Sequence, residues 1–498
     1  MKKILFILII FGFLFRNLYT NTLAINFMYD QARDSIIVKE IINGDIKIQG
    51  PSANAPGLYH GVLYFYFLTI PYLLGNGSPI VADIWLSLFS SLTIIIVYYL
   101  CFYLTKDKKA SFLSALFFTF SFEATQYALW LSNPSMAVWF VPLTYLSLWL
   151  WTTKNRKVFA ILTGLFLGLS IQSDLFLIYH IVPISIWILV NRKKTSLTKT
   201  LYALLGLFAG IFTLIISEIK FGFQGINGLI YLFTGGDKIA NSKSFFDFVV
   251  IYFSQLARLF SFNLLPTNIV YGGIFGLILV LWFITSKSKK YKLFLLLYLF
   301  AHFPIVFLGG LNSPYLTVGI GSAVCILAGI FISDIYMKSK FFAIIMIFII
   351  LFSNLSMIFQ KNMYGQTIFS TRPQMLLSNL INVVDYTYLS SNGEKFSIDT
   401  VTAPLWLNTT WSAVYNWHGL TTYGFLPFWH GKDQVGYWGD NLIKTPETVT
   451  NYYLIIEPHA GIPAIYIKYA IDDENAKSNL IEEKDFGGIT VQKREKII

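Results

Sequence analysis

Leu92-Thr93-Ile94-Ile95-Ile96-Val97-Tyr98-Tyr99-Leu100-Cys101-Phe102-Tyr103-Leu104-Thr105-Lys106-Asp107-Lys108-Lys109 decides the fold: an uncharged apolar run stops dead at a lysine cluster. Traced back to Pro79 the run holds a single acid, Asp83, and it exceeds the ~20 residues that cross a bilayer as helix. The same punctuation recurs at Lys154-Asn155-Arg156-Lys157, Arg192-Lys193-Lys194, Lys287-Ser288-Lys289-Lys290 and Lys338-Ser339-Lys340, and Lys2 and Lys3 precede the first apolar run. Placing these clusters on one side and alternating predicts spans near 4–23, 79–104, 110–127, 134–151, 157–172, 174–190, 200–218, 268–285, 292–309, 315–335 and 341–359. The long polar segments 24–78, 219–267 and 360–498 then all fall opposite the lysines, as basic cytoplasmic loops require. The first run resembles a signal peptide, but no small-residue cleavage site follows Arg16 and Asn17, so an uncleaved anchor is expected.

Composition agrees. The 498 residues are 55% hydrophobic, 18% aromatic and only 13% charged, with mean hydropathy +0.60. Soluble domains carry ~25% charge, so a soluble enzyme, a disordered chain and a fibre are excluded. The net charge of +11 is topological: from Lys361 onward there are 11 basic and 14 acidic residues, so the excess lies in the apolar part. Nucleic acid is not an expected partner. Cys101 and Cys325 sit in apolar runs with no CxxC or Cys/His cluster, the pattern of buried thiols.

The expected fold is a multi-pass α-helical membrane protein of about eleven transmembrane helices with an external α/β domain at the C-terminus. Residues 1–359 form the membrane domain with external loops 24–78 and 219–267; residues 360–498 form the extracytoplasmic, aromatic-rich domain. Phe396–Val401 and Tyr452–Ile456 read as strands. Residues 63–74 are apolar but too short to span, and read as an interfacial or re-entrant segment ended by Gly75-Asn76-Gly77.

Chemistry concentrates on the external segments. Tyr29-Asp30-Gln31-Ala32-Arg33-Asp34 opens a stretch whose apolar positions 36, 37, 41 and 42 have helical spacing, predicting an amphipathic helix on the membrane surface. Asp30 and Asp34, four apart, share a face. They could serve as a general base, as metal ligands or as both; alternatively Asp30 is an N-cap and Asp34 a solvated first-turn acid. His60 could hold phosphate or shuttle a proton, or simply cap. Glu218 is an acid at a helix C-terminus, against the dipole, with Lys220 as a simple partner. Arg258, in an external apolar stretch, could hold an anionic headgroup or snorkel. His180 and His302 lie within spans, where neutral imidazoles bonding between helices are expected. Trp406, Trp411, Trp417, Trp429 and Trp438 put five of twelve tryptophans into 33 residues, for stacking on sugars or anchoring at an interface.

The run 29–34, Asn43-Gly44-Asp45, Gly50-Pro51, His60-Gly61-Val62-Leu63-Tyr64, Ser132-Asn133-Pro134 and the Glu218 segment together resemble the glycosyltransferase C superfamily, which includes protein O-mannosyltransferases and lipid A aminoarabinose transferases. The likeness covers roughly residues 1–360. It implies transfer of a sugar from a polyprenyl-phosphate donor to a hydroxyl of a lipid, glycan or protein acceptor on the outer face of the cytoplasmic membrane, with the N-terminus inside. It maps the catalytic carboxylate onto Asp30; many relatives carry an acid directly after it, whereas here Gln31 follows and Asp34 is the second acid. Arg33, His60 and Arg258 are then the donor-phosphate candidates, and Glu218, Trp417 and Trp429 the acceptor or sugar candidates. A divalent metal is a possible cofactor with no ligand set assigned. The competing classes are a lipid-linked-sugar flippase and a non-enzymatic surface-polysaccharide assembly protein. Both topologies and functions begin from sidedness: protease added to intact spheroplasts is expected to remove residues 360–498, and full protection contradicts the assignment.

Overall fold

A computed structural model of the chain describes residues 2–53, 57–233, 244–286, 290–309 and 312–497. The chain divides into two compact units: Met1–Leu18, Lys47–Phe67 and Trp85–Asn362 form one, and Tyr19–Ile46, Leu68–Ile84 and Met363–Ile498 form the other. Four helices lead the chain: α1 (Lys2–Arg16), α2 (Tyr29–Ile42), α3 (Leu63–Leu74) and α4 (Pro79–Thr105).

The first unit is a helical bundle. Among the described residues six helices are long and apolar enough to cross a membrane, seven if Leu197–Gly210 and Phe212–Lys220, bent by 61°, count as one. Five of the six match expected spans. The sixth, Phe245–Leu264, lies inside the segment 219–267 that was expected to be a loop, and is twenty residues of helix long and apolar enough to cross. The run 110–127 is likewise two helices, Lys108–Thr119 and Phe122–Ala128, and 292–309 breaks into Lys292–Leu299 and Phe303–Gly309. Residues 287–289 of the fourth lysine cluster lie outside the described residues.

Breaks in apolar helices need caps, since lipid offers no hydrogen bonds. At Phe120–Ser121 the Ser121 hydroxyl accepts from Ala124 N–H and donates to Asn263 Oδ1 (2.8 Å), while Phe122 N–H donates to Asn354 Oδ1 (2.9 Å). Asn263 in turn donates to Glu123 Oε2 at 2.6 Å. Arg16, fully buried at the end of α1, donates to Ser90 Oγ (3.0 Å) and to the carbonyls of Gly12 and Thr119 (2.9 and 3.2 Å). The expected anchor is therefore stitched into the bundle. His180 shares a hydrogen bond with Tyr145 (2.9 Å), as a neutral inter-helix imidazole would; His302 stacks on Tyr252 at 4.6 Å. Cys101 and Cys325 are buried free thiols.

Helices Lys157–Ser173 and Leu197–Gly210 approach so closely that two small-residue motifs, Gly164-x3-Gly168 and Gly206-x3-Gly210, make the contact. A Cβ on Gly164 would collide with the Ala203 carbonyl oxygen, and one on Gly206 with that of Ile161. Such glycine seams drive helix association where no hydrophobic effect operates.

The second unit contains a five-stranded sheet of order β2-β1-β3-β5-β4, from β1 (Phe396–Val401), β2 (Phe428–Trp429), β3 (Asn451–Ile456), β4 (Ser478–Asp485) and β5 (Thr490–Lys496). β1 lies parallel to β2 and β3, and β5 antiparallel to β3 and β4. Both expected strands are present, and β1 is buried throughout, as befits a central parallel strand. On one side Val401, Leu454 and Ile456 pack on Ile467 and Ala470 of helix Ala464–Asn475. Residues 25–27 join this unit through Phe27 N–H to Met375 O (2.9 Å) and Leu377 N–H to Ile25 O (2.8 Å), which delivers α2 onto helix Thr409–Val414.

Because both glycine motifs face backbone rather than flexible side chains, Gly164→Ala and Gly206→Ala are expected to destabilise by ~1–3 kcal/mol each, the range for overpacking. Thermal melts of detergent-solubilised protein read this directly; unchanged melts would show that the seam tolerates separation.

Candidate active site

α2 begins where the extended Met28 turns, and Gln31 Oε1 accepts the Met28 N–H at 3.1 Å. Met28, not Asp30, is thus the N-cap; Asp30 is the second residue of the helix, where the dipole favours an acid. The buried stripe is Gln31, Ala32, Asp34, Ile37 and Val38, and Ile42 is exposed, so the helix hides a different face from the one the apolar spacing picked out. Asp34 is not the solvated acid of the simpler reading.

Arg33 joins the two carboxylates. Its Nη1 donates to Asp30 Oδ1 (2.8 Å), while Nε and Nη2 both reach Asp34 Oδ1 (2.9 and 2.7 Å). The side chains differ sharply in exposure: 65% for Asp30, 12% for Arg33 and 3% for Asp34. Burial pushes the Asp34 carboxyl up to about 6; the Arg33 charge opposes that rise and the Asp30 charge adds to it. Burial works against the Arg33 charge too, but Asp34 and Asp30 more than restore it, and the guanidinium stays ionised. The result is one exposed carboxylate held from behind by a buried ion pair. A divalent cation does not fit these residues: the guanidinium occupies the position between the two acids. Among the described residues no group of three or more His, Cys, Asp or Glu is arranged to hold a metal.

The remaining candidates separate by unit. In the first, His60 is buried and its Nδ1 accepts the Leu175 N–H at 3.1 Å, 3.7 Å from Asp174 Oδ1. Asp174 itself is buried and accepts the Phe176 N–H (3.0 Å). Gly61 N–H donates to Gln172 O (2.9 Å), His60 N–H to Pro51 O (2.8 Å), and Asn133 Nδ2 to Ser173 O (2.6 Å). Gly50, Gly61 and Asn133 therefore converge on the C-terminal end of helix Lys157–Ser173, with His60 and Asp174 capping the turn beyond it. Asp174 went unflagged in the sequence, where it stands as the first residue of the expected span 174–190. Glu218 accepts from Gly225 and Ile226 N–H (3.0 and 3.1 Å), closing the start of helix Gln224–Phe233 rather than pairing with Lys220. Arg258 lies on the crossing-length helix Phe245–Leu264, half-buried, with Nη2 buried and unbonded.

In the second unit the tryptophans part company. Trp411 and Trp429 are buried, Trp429 in β2 with its indole N–H bonded to Lys432 O (2.8 Å), which leaves no free face for a ligand. Trp406 carries the Lys432 ammonium at 4.1 Å. Trp417 lines an open groove, with Lys39 of α2 and Asn416.

Comparison with known proteins places the fold. Residues 59–217 match the sequence profile of the dolichyl-phosphate-mannose-protein mannosyltransferases. No curated protein matches the chain. The structure is similar to ArnT from Cupriavidus metallidurans bound to undecaprenyl phosphate, with TM-score 0.64 and 10% identity over 98% of this chain and 96% of that one. It is similar also to the apo form of that protein (0.58, 10%, 93% and 92%) and to an Archaeoglobus fulgidus oligosaccharyltransferase tethered with an acceptor peptide (0.50, 12%, 82% and 63%). The fold is that of the ArnT structures, a multi-pass helical architecture, and the mannosyltransferase profile covers 159 of the 498 residues. Within it, the matches run to ArnT over nearly the whole chain and to the mannosyltransferase profile over the segment that ends one residue before Glu218.

The buried carboxyl yields a test. Between its ordinary 3.8 and about 6, folded Asp34 binds more proton than unfolded Asp34, so its contribution to stability falls as pH rises through that window and is level above it. Asp34→Asn is expected to remove that downward slope from melts recorded between pH 4 and 7. A slope unchanged by the substitution means that another group sets it.

Proposed function

We propose that the chain is a membrane glycosyltransferase that moves a sugar from a polyprenyl-phosphate donor to an acceptor hydroxyl on the outer face of the cytoplasmic membrane, with Asp30 as general base. One observation carries the reading: an exposed carboxylate at the start of the first-loop helix, preorganised by a buried Arg33–Asp34 pair. Asp30 takes the acceptor proton as the acceptor oxygen attacks the anomeric carbon; the bond from that carbon to the phosphate oxygen breaks, and polyprenyl phosphate leaves. A positioned base contributes ~10²–10⁴-fold. Arg258, with an unbonded buried nitrogen, is the cation best suited to the departing phosphate, since charge developing away from water is where fixed cations matter most. Arg33 is committed to two carboxylates and acts as a positioning residue; His60 and Glu218 act through the backbone they cap.

The ArnT relative was captured with undecaprenyl phosphate, which supports a lipid-phosphate donor. In this reading residues 360–498 form an extracytoplasmic domain and the lysine clusters face the cytoplasm.

Asp30→Asn tests the base. The residue is not the N-cap, and its exposed ion pair is worth ~0–1 kcal/mol, so folding is expected to survive. Membranes given undecaprenyl-phosphate-linked sugars should lose at least ~10²-fold in transfer with expression and melting unchanged. Asp34→Asn should lose less. Near-normal transfer by Asp30→Asn overturns the mechanism.

A further inference from the structure

On the side of α2 away from Asp30 lies a groove of about 400 Å³ contained wholly in the second unit. That volume lies within the range of small-molecule sites. α2 contributes Ser35, Lys39 and Asn43; the turn after α3 contributes Asn76; the chain just beyond helix Thr409–Val414 contributes Asn416 and Trp417. At 3.6 residues per turn, positions 35, 39 and 42 stand about half a turn from 30, 34 and 37. The groove and the carboxylates thus occupy opposite faces of one helix.

The lining selects a ligand class. Lys39 is the one charged residue of the groove, and its ammonium is directed at the Asn416 side-chain oxygen (3.2 Å). A phosphate or anionic headgroup calls for several cations, and a single committed one is a poor match. Three carboxamides and three hydroxyls among the lining side chains provide paired donors and acceptors without charge. Trp417, half-buried, offers a flat apolar surface beside them. Hydroxyls meeting amides while a C–H face packs on an indole is the chemistry of a neutral pyranose.

We infer that this groove binds the neutral saccharide portion of the acceptor, remote from the hydroxyl that reacts. Its assignment to the acceptor rests on the transferase reading; its saccharide chemistry does not. A helix diameter, ~10 Å, separates groove from base, so an acceptor using both sites is longer than a single sugar.

The test uses the full-length protein in nanodiscs with no donor present, and maltotriose, cellotriose and chitotriose as probes, by saturation-transfer NMR and calorimetry. At least one probe is expected to bind. Trp417→Ala should weaken it ~tenfold. Thr421→Trp, which fills the groove from an exposed position, should do the same even where Trp417→Ala folds poorly. Affinity should hold within about twofold as salt is raised past the screening range. Binding by none of the three, binding indifferent to Thr421→Trp, or binding that collapses with salt overturns the saccharide site. Because no sugar is transferred in these measurements, they stand or fall separately from Asp30→Asn: saccharide binding in a protein that transfers nothing would refute the enzyme and leave the groove.

Discussion

Hydrocarbon gives a polypeptide no hydrogen bonds, and the first unit is organised around that constraint. Several interruptions of apolar runs are met by side chains from elsewhere in the bundle. Asn354 receives the Phe122 N–H, Ser121 caps and links to Asn263, and Arg16 covers carbonyls of α1 and of helix Lys108–Thr119. The same logic accounts for the residues that carry the family likeness. His60 and Asp174 cap one turn, Gly61 and Asn133 bind the carbonyls beside it, and Glu218 starts a helix. These are polar residues that let the backbone bend within an apolar bundle.

The second unit uses a buried ion pair to place an exposed acid. Taking Arg33 and Asp34 out of water is costly, and three hydrogen-bonding nitrogens shared between two carboxylates recover much of that cost. The partition matters chemically. Burial pushes the Asp34 carboxyl up to about 6, whereas Asp30 keeps most of its surface in water with one oxygen held by Arg33. Two aspartates one turn apart therefore differ in setting: one is buried against a guanidinium and the other stands largely in solvent.

Much of the bundle was legible in the sequence, because membrane spans need only length and apolarity. Pro79–Thr105, Ala137–Lys154, Gly321–Lys338 and Lys340–Lys361 fall close to where runs and lysines put them. What the sequence concealed were long-range caps. Nothing local to Phe120 announces that Asn354 will meet the Phe122 N–H, and Arg258 with Asp247 made Phe245–Leu264 look like loop. The glycine seam was missed although Gly164-x3-Gly168 and Gly206-x3-Gly210 stand in the sequence, because spacing alone does not say which helices meet. At the candidate site, the pair Asp30 and Asp34 was evident from spacing, but their unequal burial depends on what α2 packs against. The tryptophans mislead for a related reason: density along the chain does not say which rings face inward, and Trp411 and Trp429 do.

α2 emerges as the element that sets functional geometry. It packs on helix Thr409–Val414 and buries Ile37 and Val38, which holds its two polar faces at a constant angle. One face presents a carboxylate with a charged support; the other presents hydrogen-bonding groups with almost no charge. Tyr72, which lines the groove, feels the Asp34 charge, so the two faces are coupled there; substitutions at groove positions farther from Asp34 add nearly independently. Substitutions on the Asp30 face and substitutions at the far edge of the groove can then vary separately while the helix between them keeps its place.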